Sequence, residues 1–496
     1  MKKSLILIFY LFLAIAAPSQ EPVRQIVDLE AFHLISSHDL LDYAGELCSE
    51  KYGGRLSGSP GYEAAATWVA SKLEEWNIKP AVAGSYFQYF HNAYTEVLTQ
   101  GKIELVTSPL RNVIDLFFPD DYYPGSNSGS GDVEGEAVYV GFGISAPELG
   151  YDDYANLDVK GKIVLMESGV PHLGNDTMLA RWEPYSYHRY KFERARELGA
   201  AGLLYVGLLA NPNTSYFADF VYAHISESIA EKLFAGTGRL YANQKLQITN
   251  AVRPQSIPLK HSVSISASTQ HFPDTQSCNV IGIIEGSDPA LKNEAIILGA
   301  HLDAVGSPGM LFPGALDNAS GVADLLGAAH ALSHSAVKPG RSIIFIFFGG
   351  EECGLYGSTH FVQNPVWEKE KTAFMMNLDM VGNGAGFTIG GGSSHPNILR
   401  HFNTANDRYI HRSLGASQLR QNYGRPRTDA AVFEKAGYCT LGLWTTGQVK
   451  KIYYHQPLDN LDGLTPELME DAAKLLYISI LGASLDENLI PQNRVD

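Results

Sequence analysis

Residues 295–303 read AIILGAHLD, residues 341–352 RSIIFIFFGGEE, and residues 372–382 TAFMMNLDMVG. Each is an apolar run that stops abruptly at acidic or imidazole side chains: His301 and Asp303, then Glu351 and Glu352, then Asp379. Short runs rich in Ile, Phe and Leu and bounded by Gly predict strands buried on both faces. Between the first two, at 314–335, lies GALDNASGVADLLGAAHALSHS, where a Gly-containing turn carries Asp317 and gives way to a helix-like segment. Strand, helix, strand predicts an α/β fold with a parallel sheet, whose ligands gather outside the carboxyl ends of its strands. Every polar residue just named sits at such an end.

A carboxylate beside a buried strand is costly unless something pairs with it, and no Lys or Arg stands among these acids at the strand ends. A cation is the simplest missing partner. The mixture of oxygen and nitrogen donors suits Zn²⁺, which keeps an open position for water when its site is catalytic. Any one of these acids could equally cap the helix that follows it, where the dipole favours negative charge. All of them together favour the metal.

At the start of the chain, Lys2 and Lys3 precede an apolar run from Leu5 to Ala17 with the small-x-small pattern Ala14-Ile15-Ala16. This predicts a signal peptide over 1–16 and an exported, periplasmic or extracellular protein, with no stable membrane insertion elsewhere. A length of 496 residues leaves room for more than one domain. The net charge of −16 tells against a nucleic-acid partner. Cys48, Cys278, Cys353 and Cys439 are widely spaced without a CxxC pair, so thiolate metal binding is not expected, while export leaves disulfides open.

Residues 38–79 carry helical periodicity on both sides of a Gly-rich break, KYGGRLSGSPG, with Pro60 marking the second helix. From about Tyr86 to Ser256 the pattern turns to short strands and tight turns, with VKGKIVLMESG, one amphipathic helix and no cluster of metal-type or nucleophilic residues. It reads as a non-catalytic module. SCNVIGIIEGSD, from Ser277, resumes the buried strands. Beyond Gly382, CTLGLWTTG reads as one more strand and Thr465-Pro466-Glu467 as the start of a helix running to about Leu485. Arg427 to Asp429, and Tyr454-His455 with Asp459, place polar groups where a site could use them.

Taken together, GAHLDAVG, GALDNASGVA, FGGEECGLYGS, NLDMVG, TDAAVF and YYHQPLDN, in that order, resemble the secreted di-zinc aminopeptidase family, whose relatives include bacterial leucyl aminopeptidase, glutamate carboxypeptidase, glutaminyl cyclase and the transferrin receptor. The segments YDDY, VKGKIVLMESG and RARELGAAGLLYV similarly resemble a protease-associated domain set inside the catalytic one. The resemblance implies a mixed, mostly parallel central sheet flanked by helices, with a small β-rich insert. It divides the chain into 22–110 and 261–496 for the catalytic domain and 111–260 for the insert. It further implies two zinc ions bridged by Asp317, with His301 and Asp379 completing one site and Glu352 and His455 the other. Glu351 would be the general base, Asp303 would orient His301, Tyr454 would steady the tetrahedral intermediate, and Arg427 and Asp429 would lie on the substrate side. Thr428 stands where the family commonly has Ser.

The chemistry agrees with the residue types, because a metal-polarised water still needs a free carboxylate to take its proton. Adjacent Glu351 and Glu352 supply one group for each role. The expected function is removal of N-terminal residues from peptides. A mono-zinc glutaminyl cyclase, a dipeptidase or carboxypeptidase on the same scaffold, and a binding protein without catalysis are the rivals; a serine hydrolase lacks its GxSxG elbow. His330 and His334, four apart on a helix but without HExxH, read as a solvated face. Asp152 and Asp153 read as turn formers, and His395, His401 and His411 as surface residues.

Overall fold

The computed structural model describes residues 27–107, 112–171, 176–419 and 427–491, so the expected leader at 1–16 lies outside the described residues. The larger sheet has nine strands among the described residues, seven of them being β1 (Gln276–Ile284), β2 (Ala295–His301), β3 (Ser342–Phe348), β4 (Thr372–Leu378), β5 (Gly386–Gly390), β6 (Ser413–Ser417) and β7 (Thr440–Thr446). Their spatial order is β1-β3-β2-β4-β7-β5-β6, with the short strands Lys79–Pro80 and Phe87–His91 both paired to β1. The four in the middle, β3, β2, β4 and β7, run parallel, while β1 and β5 pair antiparallel on either side of them. The sheet is thus mixed, with its parallel part where the acidic strand ends are.

Alternation explains why these runs read as apolar throughout. Ile296, Leu298 and Ala300 of β2 and Ile343, Phe345 and Phe347 of β3 face one core, whereas Ile297, Ile344, Ile346 and Phe348 face another. A strand with helices on both sides has no polar face. The first core is covered by helices α1 (Ser37–Leu47), α2 (Pro60–Glu75), α4 (Ser320–His334) and α6 (Pro466–Ser484). The second lies under α5 (Asp429–Lys435) and the helix Tyr356–Gln363, through Phe433 and Phe361. Ser59 caps α2 by accepting from Tyr62 N at 3.2 Å, with Pro60 in the first turn as expected. Thr465 holds the corresponding place before α6, but its hydroxyl makes no capping bond.

A second sheet of eight strands lies within 102–267, so its pairing reaches beyond 111–260 at both ends, through Lys102–Thr107 and Ile257–Ala267. Its centre is parallel (Gly131–Tyr139, Ile163–Met166, Gly202–Val206, Val221–Ile225), and helix α3 (His188–Glu197) packs on it. The chain enters and leaves this unit through one antiparallel pair, Tyr94–Val97 with Thr269–Phe272. Asp153 does hold a turn there: its carboxylate accepts from Phe142 N, Ile144 N and the Tyr151 hydroxyl.

The four cysteines are free thiols. His330 stacks on Trp76 with ring centroids 4.6 Å apart, which accounts for it without a metal. His401 is not a surface residue: it is fully buried under α6, its Nε2 3.0 Å from Asp486 Oδ2. That partner lies 85 residues onward and leaves no local mark in the sequence. Among the described residues no helix is long and apolar enough to cross a membrane.

Candidate metal centre

The parallel strands end in register, His301 opposite Phe348 and Gly299 opposite Asn377, so the residues that follow them converge on one spot. His301 Nε2 lies 3.1 Å from Asp317 Oδ1 and 3.6 Å from Asp379 Oδ1. On the other side of Asp317, Oδ2 is 3.5 Å from His455 Nε2, which is 2.9 Å from Glu352 Oε2. Two donor triads therefore share Asp317, and within each the donor atoms lie within 4.8 Å of one another. A third grouping of the same kind joins His301, Glu351 and Glu352, which puts Glu351 beside the pair.

The turns that present these side chains are held mainly by contacts from distant parts of the chain. The carboxylate of Asp459 accepts from Leu316 N at 2.8 Å and from Asp317 N at 3.1 Å, fixing the turn that presents Asp317. Fully buried Arg55 donates to the carbonyls of Leu302, Leu47, Pro313 and Gly314 and so ties the loop after His301 to the one before Asp317. Gly54 lets it come so close, since a Cβ there would sit 2.1 Å from the Gly306 carbonyl oxygen. Asn318 accepts from Met380 N at 3.0 Å and donates to the Leu378 carbonyl, bracketing Asp379. Met380 and His455 themselves adopt positive φ, +55° and +53°, a conformation non-glycine residues take at a local cost of about 1–3 kcal/mol and mostly at functional sites.

Asp303 acts through two groups. Its backbone carbonyl, 3.1 Å from His301 Nδ1, orients that ring, while its carboxylate stays 3.9 Å away. The carboxylate instead accepts from Glu351 N and Glu352 N, each at 3.1 Å, and so shapes the turn that carries both glutamates. The residue expected to orient the imidazole by its side chain does so by its main chain.

Burial would lower the affinity of His301 for a proton, but Asp317 and Asp379 outweigh it and hold the imidazole well above its usual range. For His455 burial acts the same way, and Glu352 with Asp317 pushes it up to about 10. Desolvation pushes Glu351 well above the usual carboxylate range, and it pushes Asp303 and Asp459 up to about 7. So much carboxylate with so few cations is an environment that a divalent ion would relieve.

The remaining expected residues sit around this centre. Tyr454 lies with its ring stacked on His455, centroids 3.7 Å apart, and is half exposed. Asp429 is buried at the start of α5, and burial raises it to about 6. Arg427 lines the cleft, but Glu183 of the inserted unit holds it at 2.9 Å and Ser186 accepts from it at 2.7 Å. Two cavities open from the centre. One of about 570 Å³ adjoins Asp379 and is lined chiefly by Leu316, Met380, Ala430, Leu443, Trp444 and Ile452. The other, about 270 Å³, lies between Glu351, Glu352 and His455 and the inserted unit's His188, Asn211 and Asn213.

Residues 279–478 match the model of peptidase family M28, and residues 133–233 that of the PA domain. The chain therefore carries an M28 peptidase segment with a PA domain ahead of it. Leupeptin-inactivating enzyme 1 of Streptomyces exfoliatus is 30% identical over 211 residues, 39% of this chain and 45% of that protein. An aminopeptidase of Pseudomonas aeruginosa is 26% identical over 343 residues, 68% of this chain and 55% of that protein. The chain thus spans about half the length of these curated relatives. A zinc aminopeptidase from Bacillus subtilis has the same fold, with a TM-score of 0.59 at 20% identity over 90% of this chain and 94% of that one. The donor set fits zinc on its own chemistry: each triad offers one imidazole nitrogen and carboxylate oxygens at separations that one ion can span. The M28 segment supplies every member of both triads and Asp459, which the motif around His455 already contains, yet Arg55, which ties two of their loops together, carries no metal-type pattern that a reading of motifs could find.

Proposed function

We propose that this protein is a di-zinc aminopeptidase that removes N-terminal residues from peptides. The observation that carries this reading is the pair of donor triads sharing Asp317, with Glu351 alongside and outside both. His301, Asp317 and Asp379 would hold one ion, and Asp317, Glu352 and His455 the other. When bound, zinc polarises a scissile carbonyl and makes water more acidic. Glu351 takes the proton from the attacking water and delivers it to the leaving amine. Burial raises its proton affinity, which favours taking that proton. Tyr454, at the mouth beside His455, is placed to donate to the developing oxyanion.

An amino rather than a carboxyl terminus is favoured by charge. Arg427, the one guanidinium or ammonium group among the described residues lining either cavity, is already paired with Glu183, while Asp379, Glu351, Glu352 and Glu434 line the same spaces. An ammonium group is welcome there and a carboxylate is not. The larger, mostly apolar cavity next to Asp379 suits the side chain of the first residue. Two triads also favour two ions over the mono-zinc glutaminyl cyclase reading. The leader-like start of the sequence supports action outside the cytoplasm.

The test is a panel of aminoacyl chromogenic substrates assayed with and without a chelator, alongside bound-metal analysis. Hydrolysis is expected to favour apolar first residues and to vanish on full metal removal. Activity that survives that removal, or glutamine cyclisation without peptide hydrolysis, overturns the proposal.

A further inference from the structure

We infer that the inserted unit is a structural part of the second metal half-site, holding both of the ligands that are not shared with the first. The inference rests on the two-ion reading above. His455 meets the insert through a reciprocal pair of bonds: its Nδ1 lies 2.8 Å from the Ala210 carbonyl oxygen, and Ala210 N donates to the His455 carbonyl at 2.9 Å. With Nδ1 donating, Nε2 is left as the metal-facing nitrogen, the arrangement a ligating imidazole needs. Ala210 is itself fixed from inside the insert. Gly207 N donates to Ile225, His224 Nδ1 contacts the Gly207 carbonyl, and the Ser126 hydroxyl accepts from Asn211 N at 3.1 Å.

The other ligand is held from helix α3. Arg189 Nη2 donates to the carbonyl of Cys353 and to the Tyr356 hydroxyl, both at 2.9 Å, and its Nε donates to Asn213 Oδ1 at 3.2 Å. Cys353 directly follows Glu352, so this guanidinium pins the far side of the turn whose near side Asp303 holds. Among the described residues the half-site of His301 and Asp379 has no such tie: His301 is oriented by Asp303, and the segment after Leu378 by Asn318, both within the M28 segment. A module whose own sequence carries no ligand therefore acts on one ion and not on the other.

Arg189 and Ala210 are positioning residues, and metal binding reads them directly. The full chain, stripped of metal, is titrated with zinc against a chromogenic chelator. Wild type is expected to take two ions per chain. Arg189→Ala should keep one at wild-type affinity and bind the second roughly 10–100-fold more weakly, the usual effect of losing a partner that orients a ligand. Ala210→Pro, which removes the N–H given to His455, should show the same selective loss. Arg196→Ala, on the same helix but paired with Asp219 away from the site, should keep both. The inference is overturned if Arg189→Ala and Ala210→Pro both bind two ions as wild type does, if both weaken the two ions equally, or if Arg196→Ala matches them. A wild type that binds a single ion refutes the two-ion reading and this inference with it. A wild type that binds two, with unchanged variants, refutes the inference alone.

Discussion

Replacing Arg55 by lysine keeps the charge and most of the length, yet it should cost the protein measurable stability. The guanidinium spreads four hydrogen bonds over three nitrogens: Nε to Leu302, Nη1 to Leu47 and Pro313, and Nη2 to Gly314, at 2.7–2.9 Å. One ammonium nitrogen can occupy the place of Nη1 but cannot also reach the Leu302 and Gly314 carbonyls. The buried Leu302 carbonyl then loses its donor at a site closed to water, at about 1–3 kcal/mol, while the Gly314 carbonyl keeps the Ala319 N–H at 3.1 Å. The expected loss is therefore about 1–3 kcal/mol, out of a total that for most proteins is about 5–15 kcal/mol. Urea unfolding of the metal-free chain measures it. Because Leu302 follows His301 and Gly314 precedes Asp317, zinc retention should fall in the same variant. A loss below about 1 kcal/mol would refute the view that Arg55 stitches the two ligand loops together, since no single unmade buried bond is that cheap.

Glu351→Gln is expected to keep its zinc and lose turnover by about 10²–10⁴-fold, while Asp317→Asn loses metal; equal zinc loss in the two, measured by metal analysis, would mean that Glu351 is a ligand and not the base. The inserted unit should be acid-sensitive through His224, which is fully buried and pushed down to about 4 by desolvation. A histidine that binds its proton more readily unfolded gives its full stabilisation above the ordinary value near 6.5 and loses it as pH falls toward 4, about 3 kcal/mol in all. His224→Gln should flatten that part of the pH dependence in urea unfolding at pH 7.5 and pH 5, and an unchanged slope would assign it to other groups.

Strand ends were legible because burial on both faces forces a continuous apolar run, and a run that stops at His301, Glu351 or Asp379 announces its own carboxyl end. Asp303, Asp317 and Glu352 could be picked out for the same local reason. His401 was misplaced because its burial comes from α6 and its partner Asp486, neither of which touches its own helical pattern. Arg427 looked like a substrate residue by position, and only the packing of the insert brings Glu183 against it.

By itself, then, the sequence determined the acidic and imidazole strand ends and the α/β plan, since these are written in residue type and local period, while its likeness to a family supplied the proposed ligand set, the proposed base and the presence of an insert. Tertiary structure alone decided what aims the ligands. Arg55, Asp459 and Arg189 act on backbone carbonyls and N–H groups, and Ala210 contributes nothing but its own. Every residue carries a carbonyl and nearly every one an N–H, so such contacts have no signature in composition or spacing. They exist only once the fold has brought 55, 189, 210 and 459 to the ends of the same parallel strands.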